Sequence, residues 1–141
     1  MPQTSLTIKQ KANSMYATIN REEAPLITIE FTGQKATTAT FAAYLKELEK
    51  NYESKSAIAL VFDARKALDL NPIYQLKQAQ WMAQNKALIK QYCKGVAYVI
   101  PQTFLRNVLG LIFKIQPNPV PFKVFKTMAE GESWAKEQMN D

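Results

Sequence analysis

The pattern of apolar and polar residues predicts alternating strands and helices from residue 26 onward. In residues 26–32, apolar and polar side chains alternate, as in a strand with one buried face. Gly33 ends this strand, and Thr37 or Thr38 can cap a helix behind it. One face of that predicted helix is apolar, with Phe41, Tyr44, Leu45, Leu48 and Tyr52 at helical spacing.

Two continuous apolar runs, residues 57–62 and 96–100, predict strands that are buried on both faces. Between them the Asn71-Pro72 pair predicts the start of a helix that runs to about Tyr92, before Gly95 breaks it. This helix carries two stripes. We interpret the aromatic stripe as core, and it consists of Tyr74, Trp81, Leu88 and Tyr92. The second stripe consists of Ile73, Leu76, Ala83 and Ala87.

The end of the chain continues the alternation. A third helix is predicted over residues 102–116, then a short strand over 122–126 and a last helix over 129–139. Before residue 26 the signals are weaker. Residues 5–10 and 14–20 are predicted as two strands of an antiparallel hairpin that turns around Ala12-Asn13.

This order of elements indicates an α/β fold made of one domain, residues 1–141. Residues 1–25 form the edge hairpin and residues 26–139 the β-α alternating core. We expect a central, mostly parallel sheet of about five strands, with four helices and right-handed crossovers.

Composition restricts the chemistry. The 141 residues are 47% apolar and 21% charged, which is typical of a globular domain. The sequence has no histidine, a single cysteine and four isolated glycines. These counts exclude Ser-His and Cys-His catalysis, an internal disulfide and a glycine-rich phosphate loop. We therefore predict no enzymatic activity, no cofactor and no metal site, and we interpret Cys93 as a small buried residue.

The charge is unevenly distributed. The net charge is +6, and residues 54–126 hold eleven basic but only two acidic side chains. Such a region favours an anionic partner: a phospholipid surface, a nucleic acid or an acidic protein surface. Nucleic acid is the least expected of these, because no nucleic-acid-binding motif accompanies the lysines. The N-terminus lacks a signal peptide's apolar core, so a cytoplasmic location is expected.

Three passages resemble the STAS-like domains, the fold of the sporulation anti-sigma-factor antagonists. They are SAIALVFDAR at 56–65, KGVAYVIP at 94–101 and FKVFKTMAEGESWAKEQM at 122–139. A looser resemblance extends to the lipid-binding CRAL-TRIO domains. The family resemblance implies a regulatory domain that engages a protein partner. Phosphorylatable members have an Asp-Ser pair before the helix that follows the central strand. Here Leu70 or Asn71 stands at the serine's place, so no phosphoserine switch is expected.

Asp63 and Arg65 follow the predicted strand 57–62, at the edge of the sheet where ligands gather in open α/β folds. Asp63 can orient a partner there, or it can bond the next loop and pair with Arg65 or Lys66. The resemblance implies partner contacts along this loop and at the start of the next helix. Besides Asp63 and Arg65, they would include Asp69 and Asn71.

The predicted helix 102–116 is unusual, because its apolar arc is far wider than its polar stripe. Three explanations are open. The helix can be sandwiched inside the fold, it can form a homodimer interface, or it can bind a membrane or line a hydrophobic pocket. In the last case its basic residues would reach anionic headgroups. The candidate residues are Phe104, Leu105, Arg106, Leu109, Ile112, Phe113 and Lys114.

Two functions follow from these patterns. The first is a non-enzymatic regulatory domain that binds a protein partner or a second copy of itself. The alternative is binding of a lipid or another hydrophobic ligand, or of an anionic membrane surface, through helix 102–116.

Overall fold

A single six-stranded sheet organises the chain in the computed structural model, which describes residues 10–67, 71–100 and 118–140. The strands lie in the sheet in the order in which they occur along the chain. They are β1 (Lys11–Asn13), β2 (Ala17–Asn20), β3 (Leu26–Phe31), β4 (Ile58–Asp63), β5 (Cys93–Val99) and β6 (Phe122–Phe125). The helices are α1 (Thr38–Lys50), α2 (Pro72–Gln84), α3 (Lys86–Tyr92) and α4 (Met128–Met139).

The sheet is mixed. β1, β2 and β3 pair in antiparallel fashion, whereas β3, β4, β5 and β6 are parallel. All six residues of β4 are buried, as its continuous apolar run predicts for a central strand. The expected α/β class, the mostly parallel sheet and the N-terminal antiparallel hairpin are thus confirmed. The described residues hold six strands rather than about five.

Helices α1, α2 and α3 pack on one face of the sheet and bury the larger core. Thr37 caps α1 as predicted: its hydroxyl accepts from the Thr40 amide over 3.1 Å, and the Thr40 hydroxyl accepts from the Thr37 amide over 2.8 Å. The predicted apolar face of α1 points inward, with Phe41, Tyr44 and Leu48 buried. Parallel strands whose connections carry these helices bring their carboxyl ends to one edge of the sheet.

Helix α4 covers β4 and β5 on the opposite face. The contact is close because small residues meet there. Ala59, Ala97 and Ala135 are fully buried, and a Cβ atom on Gly131 would lie 2.9 Å from Val99 Cγ2. The last predicted helix, 129–139, and the strand 122–126 are therefore confirmed within one residue at each end.

The N-terminal hairpin turns later than predicted. Ala12 and Asn13 belong to β1, and the turn lies at residues 14–16. Asn13 causes the shift, because its side-chain oxygen accepts from the Met15 amide over 2.7 Å while Met15 takes a φ of 72°. Of the predicted strand 5–10, only residue 10 is described, and it lies outside β1.

The predicted helix from Asn71 to Tyr92 is two helices. Asn85 separates α2 from α3, because its backbone leaves helical geometry with a φ of −108° and a ψ of 16°, while its side-chain Nδ2 donates to the Trp81 carbonyl over 2.9 Å. The Asn85 N–H keeps the ordinary helical bond to the same carbonyl, over 3.0 Å. The next strand also begins earlier than predicted. Gly95 does not separate helix from strand but lies inside β5, which starts at Cys93 and pairs there with Ile58. The predicted helix 102–116 lies outside the described residues.

Candidate functional site

Three of the residues expected to form a site lie in the described part of the chain, at or after the carboxyl end of β4. Asp63 is the last residue of β4, Arg65 lies in the loop behind it, and Asn71 caps α2. Asp69 lies outside the described residues. So do the candidates of the apolar segment, which are Phe104, Leu105, Arg106, Leu109, Ile112, Phe113 and Lys114.

Asp63 and Arg65 form a bidentate pair. Arg65 Nε donates to Asp63 Oδ1 over 2.9 Å, Arg65 Nη2 donates to Oδ2 over 2.9 Å, and the Arg65 amide also donates to Oδ1. Burial acts to raise the pKa of Asp63, but the hydrogen bonds and charge of Arg65 outweigh it, so the pKa lies below its ordinary value. Asp63 is therefore ionised at neutral pH and orients the half-exposed guanidinium of Arg65.

The loops that follow β3 and β4 pack side by side at this edge. Gly33 has a φ of 91°, and a Cβ atom there would lie 2.9 Å from the Lys66 carbonyl oxygen. Lys66 reaches back to β3, where its Nζ lies 3.6 Å from Glu30 Oε2. Of the two pairing partners considered for Asp63, Arg65 is the one observed. The geometry therefore favours a structural role for Asp63 within the loop.

The start of α2 exposes large apolar side chains. Asn71 Oδ1 accepts from the Ile73 amide over 2.9 Å, and Pro72 follows the cap, as the sequence predicted. Ile73 is 61% exposed and Leu76 is 46% exposed. These two residues lie three apart and so are neighbours on the helix surface. We call Ile73 and Leu76 the apolar start of α2.

The aromatic stripe of the same helix faces inward. Trp81 is buried, and its Nε1 donates to Glu49 Oε1 over 3.0 Å. The Tyr74 ring lies 5.0 Å from the Phe41 ring, and Leu88 and Tyr92 pack against the same core. The interpretation of this stripe as core is confirmed, with Trp81 buried and the other three side chains half-buried against the core.

A small cavity lies between the sheet and α2. Its volume is about 30 Å³, and its lining includes Tyr52, Gln78, Tyr98 and Asn118. Asn118 Nδ2 donates to the Tyr98 hydroxyl over 3.3 Å. A volume of this size holds about one water molecule. The cavity is thus far too small for a lipid chain.

A larger pocket lies at the other end of the parallel sheet, where β3 and β4 begin. It has a volume of about 470 Å³ and is lined by Arg21, Asn51, Ser54 and Ser56 together with apolar residues. Arg21 is buried, and its Nε donates to Asn51 Oδ1 over 2.6 Å. Sequence reasoning missed this Arg21 pocket. The sequence contains only a weak indication of this pocket, which is an arginine between a strand and the Glu-Glu-Ala-Pro turn.

Cys93, the single cysteine, is buried at the start of β5. Burial raises the pKa of its thiol to about 11. This confirms the interpretation of Cys93 as a small buried residue. Within residues 10–67, 71–100 and 118–140, no group of three acidic or cysteine side chains is placed to hold a metal ion.

Across the part of the chain that the structure describes, none of the helices combines the length and the apolar character needed to cross a bilayer. Comparison with known proteins adds no relative: no family model, no curated protein and no solved structure matches the chain.

Proposed function

We propose that this chain is a cytoplasmic, non-enzymatic binding domain of STAS-like type, and that it engages a protein partner through the apolar start of α2. The observation that carries the proposal is the exposure of Ile73 and Leu76 on adjacent turns. Large side chains exposed together, beside a polar loop, are typical of the centre of a protein interface.

The charges of α2, which carries this patch, and of α3, which follows it, indicate the chemistry of the partner. Helices α2 and α3 contain Lys77, Lys86 and Lys90 and no acidic residue. The complementary partner is a protein surface with an apolar centre and an acidic rim. Its apolar centre would cover Ile73 and Leu76, and an acidic side chain of its rim would meet Lys77, the residue after Leu76.

The resemblance to STAS-like domains supports the same place. It implies partner contacts on the loop after the central strand and at the start of the following helix, which are the Asp63–Arg65 loop and the apolar start of α2. With Asn71 engaged as the helix cap, this chain would bind its partner without a phosphoserine switch.

Binding of a hydrophobic ligand through residues 102–116 has less support. Those residues lie outside the described part of the chain. On the face that α2 covers, the cavity between helix and sheet holds about one water molecule. The test described next therefore includes the results that would favour the lipid or the homodimer alternative.

The test compares the wild-type chain with the double variant Ile73→Asp/Leu76→Asp. Proteins that the wild-type chain retains in a pull-down are identified. The protein retained most strongly is then purified and titrated against the chain by calorimetry. We expect binding at one-to-one stoichiometry that weakens with salt, since the rim is charged. The double variant should bind at least about tenfold more weakly, because it places two carboxylates against an acidic surface. Met15→Asp is the matched control, because Met15 is a large apolar residue that is 58% exposed on the β1–β2 turn.

Three results would contradict the proposal. The first is a purified partner that binds the double variant as tightly as the wild type. The second is salt-sensitive binding to vesicles of phosphatidylglycerol and phosphatidylcholine with no protein partner retained, which would favour the membrane alternative. The third is a stable dimer in sedimentation analysis that the double variant abolishes, which would assign the patch to a second copy of the chain.

A further inference from the structure

The Arg21 pocket contains a polar group without a partner. Asn51, the residue that ends α1, is 2% exposed. Its Oδ1 accepts from Arg21 Nε, and this contact fixes which end of the amide faces the guanidinium. Its Nδ2 has no hydrogen-bond partner among the described residues. A buried N–H donor left unpaired costs about 1–3 kcal/mol, so an acceptor from outside the chain is expected there.

Positive charge accompanies this donor. Arg21 is 4% exposed, and its Nη2 donates to the Glu47 carbonyl over 2.9 Å and to Glu47 Oε1 over 3.3 Å. Lys50 Nζ also contacts Glu47, at 2.9 Å from Oε2. The guanidinium of Arg21 lines the pocket and supplies positive charge there, which favours an anionic acceptor.

Two hydroxyls line the same pocket. Ser54 Oγ and Ser56 Oγ lie 2.9 Å apart. Because one hydroxyl donates to the other, the second keeps its hydrogen for another acceptor. Asn51 Nδ2 and one serine hydroxyl can thus supply two donors to the same ligand. Two donors beside a positive charge match the two oxygens of a carboxylate.

Apart from Gln10, the rest of the wall is apolar, formed by Ala24, Pro25, Ile27, Ala57 and Ile58. A volume of about 470 Å³ lies within the range of small-molecule sites. We propose that this pocket binds a small organic carboxylate, with its carboxylate oxygens at Asn51 and the serine hydroxyls and its apolar body against Pro25 and Ile58. The site lies at the opposite end of the parallel strands from the apolar start of α2 and does not depend on the proposed protein partner.

The test is a titration of the ¹⁵N-labelled full-length chain, followed by amide chemical shifts, with sodium hexanoate as the probe. We expect saturable shifts confined to residues 21–27 and 51–58, with a Kd in the millimolar range or tighter. Hexanamide has the same apolar body without the charge, and it should bind at least about tenfold more weakly. Inorganic phosphate, an anion without an apolar body, should also bind more weakly.

Two variants and a control locate the site. Asn51→Leu removes the buried donor at similar volume and should weaken hexanoate binding about tenfold. Because Asn51 is buried and this variant can fail to fold, Ser54→Ala/Ser56→Ala provides a second test at exposed positions, with an expected loss of at least about fivefold. Ser133→Ala, an exposed serine on α4, should leave binding unchanged.

The proposal is overturned if hexanoate produces no saturable shifts in these residues, which would leave water as the acceptor for Asn51. It is also overturned if hexanamide or phosphate binds as tightly as hexanoate. Unchanged hexanoate binding in the double serine variant would equally reject it.

Discussion

Asp63 holds Arg65, two residues further along the chain, through both of its carboxylate oxygens, with 2.9 Å in each of the two side-chain contacts. The pair closes the loop after β4 and determines how this loop leaves the sheet. The carboxylate is buried, whereas the guanidinium is 49% exposed. The buried carboxylate therefore fixes the orientation of a half-exposed guanidinium in this loop.

Replacing Asp63 with asparagine should destabilise the protein in a pH-dependent way. Because the pKa of Asp63 is lower in the folded chain than in the unfolded chain, its ionised form stabilises the fold above about pH 4, and this contribution is lost as the pH falls through the folded value. With Arg65 half exposed, we expect Asp63→Asn to cost roughly 1–2 kcal/mol at neutral pH. Urea unfolding of both chains between about pH 7 and pH 3 measures the difference. A difference that stays constant over this range would contradict the linkage, and Glu137→Gln, on an exposed residue of α4, is the control.

Adding one methyl group to Gly131 should destabilise the fold, although alanine favours helices by about 1 kcal/mol over glycine. The new Cβ would lie 2.9 Å from Val99 Cγ2, on the side of α4 that packs against β5. We expect Gly131→Ala to cost about 1–3 kcal/mol, because the close contact between helix and sheet must open. Thermal unfolding followed by circular dichroism measures the change. As the control, Ser133→Ala on the exposed side of α4 should change the stability by less than about 0.5 kcal/mol. A Tm of Gly131→Ala above that of the wild type would refute the packing argument.

Cys93 should resist thiol reagents while the chain is folded. Its side chain is buried, and its pKa is raised to about 11, so the thiol is protonated at pH 8. The rate of modification by a disulfide reagent at that pH should be on the order of a hundredfold lower than in guanidinium chloride, where the thiol has its ordinary pKa. Equal rates in the two solutions would show that Cys93 is accessible in the folded chain.

Arg21 should tolerate replacement by lysine poorly, although the charge is kept. The guanidinium uses Nε for Asn51 and Nη2 for Glu47, and a single ammonium group cannot hold both acceptors in this geometry. We expect Arg21→Lys to lower the free energy of unfolding by about 1–3 kcal/mol. Arg65→Lys, at a half-exposed arginine that is also bound to a carboxylate, should cost less than about 1 kcal/mol. Equal losses in the two variants would indicate that burial of Arg21 contributes little.

The predictions from sequence were most accurate where a local pattern repeats. The alternation in β3 and the helical spacing of Phe41, Tyr44 and Leu48 both match the buried faces in the structure. Both patterns identify the side chains that become buried on folding, because the spacing of these side chains follows the backbone period of a strand or a helix. At the candidate site, the cap at Asn71 followed from the residues alone. The ion-pair partner of Asp63 did not follow from the residues alone, because Arg65 and Lys66 are both close enough to Asp63 along the chain.

The element boundaries that were predicted wrongly depend on single side chains. Asn85 divides the second predicted helix where its backbone leaves helical geometry and its side-chain Nδ2 bonds the Trp81 carbonyl, and Asn13 moves the hairpin turn by two residues. An asparagine that competes with backbone hydrogen bonds has this effect only when the surrounding packing favours it. The effect of these two asparagines on the element boundaries therefore could not be predicted from the sequence.

By itself, the sequence determined the class of fold, the buried central strands, the cap of α2 and the absence of histidine-based chemistry, and it narrowed the cap of α1 to Thr37 or Thr38. Only the tertiary structure decided how far Ile73 and Leu76 are exposed and where Arg21 lies. Arg21 and Asn51 are thirty residues apart in the chain and meet because α1 returns the chain to the beginning of β4. Local periodicity extends over one or two turns of backbone, whereas a buried donor and its acceptor are brought together by the packing of whole elements.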